Sequence, residues 1–196
     1  MRNQLKDKHI PILNEEPDAL SYRALRGEFS PTAVSDGSKK LLDHLKDVRG
    51  LYPDACLALI GYSTGALAIE KMLASIPADV GNRIAAVEMF ADPTNWASVA
   101  GGSPGVGPYG DRTTYECNAQ DPACGPRTRF LPRTAEEWKE CGEELKKGLV
   151  NALGPCAAPQ HLPPAYEKSG AAENAAKRAA GAIVGPTAVP RDWNLA

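Results

Sequence analysis

Residues 56–70 read CLALIGYSTGALAIE, an apolar run followed by a Gly-x-Ser-x-Gly motif and a pattern of helical periodicity. This order predicts a strand, a tight turn and a helix, the context in which the motif presents a nucleophilic serine. Ser63 would stand at a strained turn, and Gly61 and Gly65 lack Cβ atoms that would separate strand and helix. The backbone N–H of Thr64 would lie at a helix N-terminus, suited to stabilising an oxyanion. The alternative is a serine in an ordinary βα turn.

Length and charge limit the class of protein. The 196 residues suit a single domain with a sizeable core, spanning residues 1–196. A formal net charge of −2 lacks the basic excess of proteins that bind nucleic acids or anionic membrane surfaces, so neither partner is predicted. No apolar run approaches the length of a membrane span. Residues 1–21 read as a polar arm without a hydrophobic signal core, and residues 186–196 as a loosely held tail.

Strand and helix patterns alternate on both sides of the motif. The apolar runs Cys56–Ile60 and Ile84–Phe90 are typical of strands buried on both faces of a parallel sheet. A helix capped by Ser35 or Asp36 should run to about Arg49. Further helices are expected at about residues 64–76, 134–149 and 171–184, a short strand at residues 113–117, and a Gly/Ser/Pro-rich loop at residues 97–110. The alternation predicts an α/β fold with a doubly wound parallel sheet.

Two residues later in the chain are candidates to act with Ser63. Asp121 lies between two cysteines, and His161 lies at the centre of the proline-rich loop at residues 155–164, where a core histidine is not expected. The histidine would take the proton from the serine, and the aspartate would hold the imidazole tautomer. Serine, then acid, then histidine is the chain order of the α/β-hydrolases.

Three other polar residues compete for these roles. Asp92, at the end of the second predicted strand, is either the acid of the triad or a loop-capping residue. His44 reads as a packed or half-exposed residue of the first helix rather than a catalytic one. His9 precedes the serine on the polar arm and is a poor candidate for the base.

One of the five cysteines lies in an apolar strand, and the other four lie in polar or Pro/Gly-rich segments. Cys56 lies in the apolar strand and reads as a buried free thiol. Cys117, Cys124, Cys141 and Cys156 lie in Pro/Gly-rich or polar segments, where disulfides are expected. Four cysteines allow three pairings, and the sequence does not choose between them. A zinc site is not predicted, because Cys117 and Cys124 lack the close spacing of zinc ligands and no histidine accompanies them.

Taken together, these motifs resemble the cutinase family of serine esterases. The matching stretches are GYSTGA at 61–66, FADP at 90–93, DRT at 111–113, CNAQDPAC at 117–124 and PQHL at 159–162. The resemblance extends over roughly residues 22–185. It implies a small α/β-hydrolase fold, a three-layer sandwich with a central parallel sheet and no large cap domain.

The resemblance also implies an activity and the residues that carry it. Ser63 would be the nucleophile, Asp121 the acid and His161 the base, and Cys117 and Cys124 would form a disulfide. The protein would be a secreted, monomeric esterase that hydrolyses carboxylic esters through an acyl-enzyme, without a metal or organic cofactor. Its substrates would be short-chain or polymeric esters. Acetylxylan esterases carry the same triad, so deacetylation of polysaccharides is the alternative substrate class.

Two departures from the family pattern lead to further expectations. Residues 1–21 lack the N-terminal strand and the small or hydroxyl residues that supply half of the oxyanion hole. We therefore expect a chain that lacks its true N-terminus, including a signal peptide; the alternative is a catalytically inactive module that binds esters or polymers. The second departure is an insert at residues 125–158. A Cys141–Cys156 disulfide would hold its helix beside His161 as a flap over the acyl site, and a surface decoration is the alternative.

Overall fold

The computed structural model describes residues 31–94, 105–118, 121, 124, 161 and 163–184. The described helices are α1 (Pro31–Leu51), α2 (Thr64–Leu73), α3 (Ala78–Gly81), α4 (Pro163–Lys168) and α5 (Ala171–Val184), with a 3-10 helix at Gly107–Arg112. The described strands are β1 (Leu57–Tyr62), β2 (Ile84–Phe90) and β3 (Thr113–Glu116). The polar arm, the insert with its helix and the predicted Cys141–Cys156 disulfide, and the C-terminal tail lie outside the described residues.

The three strands form one parallel sheet in the order β1-β2-β3. Tyr62 at the end of β1 pairs with Phe90 of β2, and Phe90 pairs with Glu116 at the end of β3. The carboxyl ends of the three strands therefore meet at one edge of the sheet. In α/β proteins this edge is the usual place for a functional site.

Helices cover both faces of this sheet and give a three-layer α/β/α arrangement. On one face, α1 packs against α2 and α2 packs against β1. On the other face, α5 packs against β2, and α4 packs beside α5. Two apolar clusters fill the spaces between these layers, the larger around Leu59, Ile69, Met72 and Val87, and the smaller around Phe90, Cys124 and Tyr166. The α/β fold predicted from the alternation of elements is confirmed.

Burial of the strands agrees with the sequence for β2 but not for β1. Every residue of β2 is buried, as predicted for a strand covered on both faces. The same prediction for β1 is wrong, because Ile60 is 59% exposed. Ile60 pairs with Glu88 of β2, and Arg178 of α5 forms ion pairs with Glu88 and with Glu116 of β3, on the side away from β1. Among the described elements, α5 covers β2 and leaves the outer position of β1 in contact with solvent.

The boundaries of the first two helices differ from those predicted. Helix α1 begins at Pro31 rather than at a cap formed by Ser35 or Asp36. Proline is favoured in the first helical turn, where its missing N–H costs nothing. Ser35 does not cap the helix, and its hydroxyl instead accepts a hydrogen bond from Lys71 of α2. Helix α2 ends at Leu73, three residues before the predicted end at about residue 76.

Short helices account for the remaining differences. The 3-10 helix at Gly107–Arg112 lies partly in the segment predicted as loop, and α4 begins within the predicted proline-rich loop. Both are too short to show a helical period in the sequence. The 3-10 helix is held because Tyr109 is buried against Gly81, where a Cβ atom would collide with the Tyr109 hydroxyl. In contrast, α5 coincides with the predicted helix at Ala171–Val184.

None of the helices in the described residues combines the length and the apolar character needed to cross a membrane. The longest, Pro31–Leu51, is amphipathic rather than apolar, with Leu45 buried and Lys39 and Asp43 joined by an exposed ion pair. Its burial against α2 is the role that its apolar positions predict.

Candidate active site

Ser63 occupies a strained turn between β1 and α2. Its backbone angles are φ 54° and ψ −122°, a region that residues other than glycine rarely adopt. Its N–H donates to the carbonyl of Phe90, so the strand pairing continues up to the serine. A Cβ atom on Gly61 would lie 2.8 Å from Cα of Ala66 and 2.9 Å from Cδ1 of Ile69. The motif glycine is therefore required for close packing of strand and helix, as predicted for Gly61.

Thr64 is the first residue of α2, so its backbone N–H lies at the N-terminus of that helix. N–H groups at this position carry the positive end of the helix dipole. The position agrees with the prediction of one oxyanion donor next to the serine. The segment in which a second donor was sought, residues 1–21, lies outside the described residues.

A continuous line of hydrogen-bonding atoms joins Ser63 to Asp121 through His161. The Nε2 atom of His161 lies 3.0 Å from the Ser63 Oγ. The Nδ1 atom lies 3.0 Å from Oδ1 and 2.9 Å from Oδ2 of Asp121. Because an ionised carboxylate can only accept hydrogen bonds, we assign the proton of the neutral imidazole to Nδ1. Nε2 is then free to accept a proton from the serine hydroxyl.

The topology explains how residues far apart in the chain meet. Ser63 follows β1, Asp121 follows β3, and His161 directly precedes α4, all at the carboxyl edge of the sheet. The Asp121 side chain is fully buried, whereas that of His161 is 15% exposed. The site therefore combines a buried acid and a buried serine with a histidine that is partly exposed to solvent.

A disulfide holds the loop that carries Asp121. Cys117 and Cys124 are bonded, as the family resemblance implied. Within this loop the Asp121 N–H donates to the carbonyl of Asn118 at 2.9 Å. So short a loop gains little stability from chain entropy, so the bond serves chiefly to fix the carboxylate. Cys56, the other cysteine among the described residues, is free and half-buried, and burial raises the pKa of its thiol.

Sequence reasoning did not identify Tyr166, which contacts the acid from α4. Its hydroxyl donates to Oδ2 of Asp121 at 2.6 Å and accepts the N–H of Asn118 at 3.3 Å. Burial, and then the hydrogen bond to Asp121, raise the pKa of this phenol well above its usual range. The residue lies on a helix of only six residues, too short to reveal which face is buried.

Tyrosine rings surround the histidine and the acid. The ring centroid of Tyr62 lies 5.3 Å from that of His161. Tyr166 packs edge-on against both Tyr62 and Phe90, with centroids 6.1 and 5.7 Å apart. Tyr62 therefore packs beside the imidazole, and Tyr166 supports Tyr62 in turn.

The competing candidates lie elsewhere. Asp92 is buried, but its carboxylate accepts hydrogen bonds from the N–H and the hydroxyl of Thr94, both at 2.9 Å. It is thus the loop-capping residue of the two alternatives, and Asp121 is the acid in contact with the histidine. His44 lies half-buried on α1, and His9 lies outside the described residues. The described residues contain no group of three His, Cys, Asp or Glu side chains placed to hold a metal ion.

A second buried carboxyl lies beside Asp92. Glu70 of α2 is buried; its Oε1 accepts a hydrogen bond from the Tyr115 hydroxyl at 3.5 Å and lies 3.0 Å from the Thr94 hydroxyl, whose single proton is shared between Glu70 and Asp92. Burial, together with the nearby charge of Asp92, raises the pKa of Glu70 to about 7. The folded protein therefore holds a proton here that the unfolded chain releases at lower pH.

The raised pKa of Glu70 beside Asp92 predicts how the free energy of unfolding depends on pH. The pKa of Glu70 rises from 4.5 to about 7 on folding, so ionisation of the unfolded chain destabilises the fold as pH rises through that interval. The loss should reach about 3 kcal/mol above pH 7. Glu70→Gln keeps a donor and an acceptor but cannot ionise. We expect it to be more stable than the wild type at pH 8 and to differ little at pH 4.5, as measured by urea unfolding.

The control for this experiment is Glu173→Gln, since Glu173 is an exposed residue of α5 paired with Lys177. This change should leave the pH dependence of the wild type in place. Equal pH slopes for Glu70→Gln and the wild type would show that Glu70 does not hold the extra proton.

The strained serine turn at the carboxyl edge of a parallel sheet, covered by helices on both faces, defines an α/β fold of the α/β-hydrolase type. The cutinase family model matches residues 4–135, about two thirds of the chain, and the chain belongs to the cutinase family. The matched region includes residues 4–21 of the arm, which the motif resemblance over residues 22–185 does not cover, and it ends before His161.

Curated relatives are esterases by name. Carboxylesterase Culp1 of Mycobacterium tuberculosis is 33% identical over 113 residues, which are 55% of this chain and 48% of that protein. A cutinase of Kineococcus radiotolerans is 27% identical over 157 residues, which are 72% of this chain and 51% of that protein. The chain spans about half the length of these relatives.

Proposed function

We propose that the protein is a carboxylic ester hydrolase that acts through an acyl-enzyme on Ser63. His161 is the general base, Asp121 orients the histidine, and the Thr64 N–H is one oxyanion donor. One observation carries the proposal, the line of hydrogen-bonding atoms from Asp121 through His161 to Ser63. The names of the relatives, carboxylesterase and cutinase, support the same reaction class.

The mechanism follows from the positions of the protons. Nε2 of His161 takes the Ser63 proton as Oγ attacks the ester carbonyl, and the imidazolium is stabilised by Asp121. The negative charge on the carbonyl oxygen develops beside the Thr64 N–H at the helix terminus. His161 then protonates the leaving alcohol. Water repeats the same sequence with the acyl-enzyme and releases the acid.

The proposed substrates are short-chain or polymeric carboxylic esters. The partly exposed histidine suits a shallow site that accepts the ester end of a larger molecule. Removal of acetyl groups from a polysaccharide requires the same chemistry and is the alternative. We further propose that the protein acts outside the cytoplasm, as a secreted monomer, because the Cys117–Cys124 disulfide is of the kind that persists in oxidising compartments.

Labelling with a fluorophosphonate probe tests the proposal directly. The probe bonds covalently to a serine only when a neighbouring base activates it. We expect stoichiometric labelling, located on Ser63 by peptide mass spectrometry, and slower labelling while an excess of p-nitrophenyl butyrate is present to compete for the serine. An unlabelled protein with intact fold would instead indicate an inactive module that binds esters or polymers.

A further inference from the structure

We propose that Tyr166 is a positioning residue that fixes the Asp121 carboxylate and shares its charge with His161. The inference rests on the proposed function, since it assigns a role within the same site. It concerns a contact that no sequence motif used above contains. The role is distinct from catalysis, because the Tyr166 hydroxyl contacts the acid and not the serine.

The Asp121 carboxylate is buried away from water. The Asp121 side chain has no exposed surface, so hydrogen-bond donors in the protein must replace the water it loses. Oδ2 receives two of these, Nδ1 of His161 at 2.9 Å and the hydroxyl of Tyr166 at 2.6 Å. The shorter of the two comes from the tyrosine. A phenol that donates to a carboxylate forms one of the stronger hydrogen bonds found in proteins.

Tyr166 is itself held in place by contacts with the disulfide loop and with β2. Its oxygen accepts the backbone N–H of Asn118, which belongs to the same disulfide loop as Asp121. Sγ of Cys124 also lies 3.5 Å from this oxygen. The ring is buried and packs edge-on against Phe90 at the end of β2. The hydroxyl thus has a fixed direction, which a residue that sets the orientation of a carboxylate requires.

The Tyr166 hydroxyl also changes the distribution of charge on the Asp121 carboxylate. The phenol proton neutralises part of the charge on Oδ2 and leaves less of it for the Nδ1–H of His161. Without the hydroxyl, the carboxylate would stabilise the imidazolium more strongly, and the histidine would keep its proton at higher pH. The carboxylate would also lose the contact that holds it opposite Nδ1. The lost positioning slows the chemical step, the stronger pairing with the imidazolium moves the pH at which His161 loses its proton, and neither changes ground-state binding of the ester.

The test compares Tyr166→Phe with Tyr115→Phe in the full chain. Tyr115 is a matched control, since its hydroxyl also faces a buried carboxyl, that of Glu70, outside the triad. For Tyr166→Phe we expect kcat to fall about ten- to a hundredfold with KM unchanged, the range for a lost hydrogen bond to a charged group. We also expect the acid limb of kcat/KM against pH to move to higher pH. Tyr115→Phe should retain the kcat and the acid limb of the wild type.

Three results would overturn the inference. They are a Tyr166→Phe enzyme with wild-type kcat, a fall in kcat with the acid limb in place, and equal changes in both variants. The second result would mean that Tyr166 acts only through packing and stability. Failure of the proposed function looks different, because the wild type itself would then neither hydrolyse esters nor react with the fluorophosphonate probe.

Discussion

Ser63→Ala is expected to lower kcat for p-nitrophenyl butyrate by about a millionfold, the scale found when a triad nucleophile is removed. The Ser63 hydroxyl lies 3.0 Å from Nε2 of His161, and alanine leaves that nitrogen without a proton to take. The substitution should not disturb the fold, since alanine removes only the oxygen and keeps the Cβ of the strained turn. The measurement is hydrolysis of p-nitrophenyl acetate, butyrate and palmitate by wild type and variant.

Ser38→Ala is the matched control, because Ser38 is a buried serine on α1 and not part of the site. It should retain the activity of the wild type. Activity that survives in Ser63→Ala would refute the proposed nucleophile. A wild type as inactive as Ser63→Ala would favour the inactive module, and the chain-length profile of an active wild type would separate short-chain from long-chain ester substrates.

The serine turn could be predicted because its requirements are local. A strand, a turn that needs glycine at 61 and a helix follow one another within fifteen residues, and the structure gives Gly61 no room for a Cβ. The strand Ile84–Phe90 was equally clear, since a short, mostly apolar run is typical of a strand buried on both faces, although the same pattern in β1 misled at Ile60. Such features depend on neighbours in sequence and need no knowledge of the tertiary fold.

The acid of the proposed triad could not be chosen from local sequence alone. Asp92 and Asp121 both follow strands and lie at the same edge of the sheet, so residue type and position do not separate them. Their hydrogen-bond partners separate them. Oδ1 of Asp92 accepts a hydrogen bond from Thr94, whereas Asp121 is hydrogen-bonded to His161. Tyr166 was missed for a related reason, since it reaches the acid from a helix forty-five residues further along the chain.

Asp121→Asn is expected to lower kcat by about ten-thousandfold, and the reason lies in the contacts of the carboxylate. The Tyr166 hydroxyl donates to the position of Oδ2, so it favours the amide oxygen of asparagine there. The amide NH₂ then takes the position of Oδ1, 3.0 Å from Nδ1 of His161. Nδ1 also lies 2.9 Å from the Oδ2 position, but a donor at the Oδ1 position repels an Nδ1–H and so favours the tautomer with the proton on Nε2.

With a proton on Nε2, His161 cannot accept the proton of Ser63, although every heavy atom keeps its position. The loss should therefore appear in kcat, with little change in KM or in thermal stability, when p-nitrophenyl butyrate hydrolysis is measured at neutral pH. Asp92→Asn is the matched control, since Asp92 is the other buried aspartate at this edge and contacts Thr94 instead of the histidine. Its kcat should remain within a few-fold of the wild type. Comparable losses of kcat in the two variants would mean that burial of an aspartate at this edge, rather than its contact with His161, sustains the reaction.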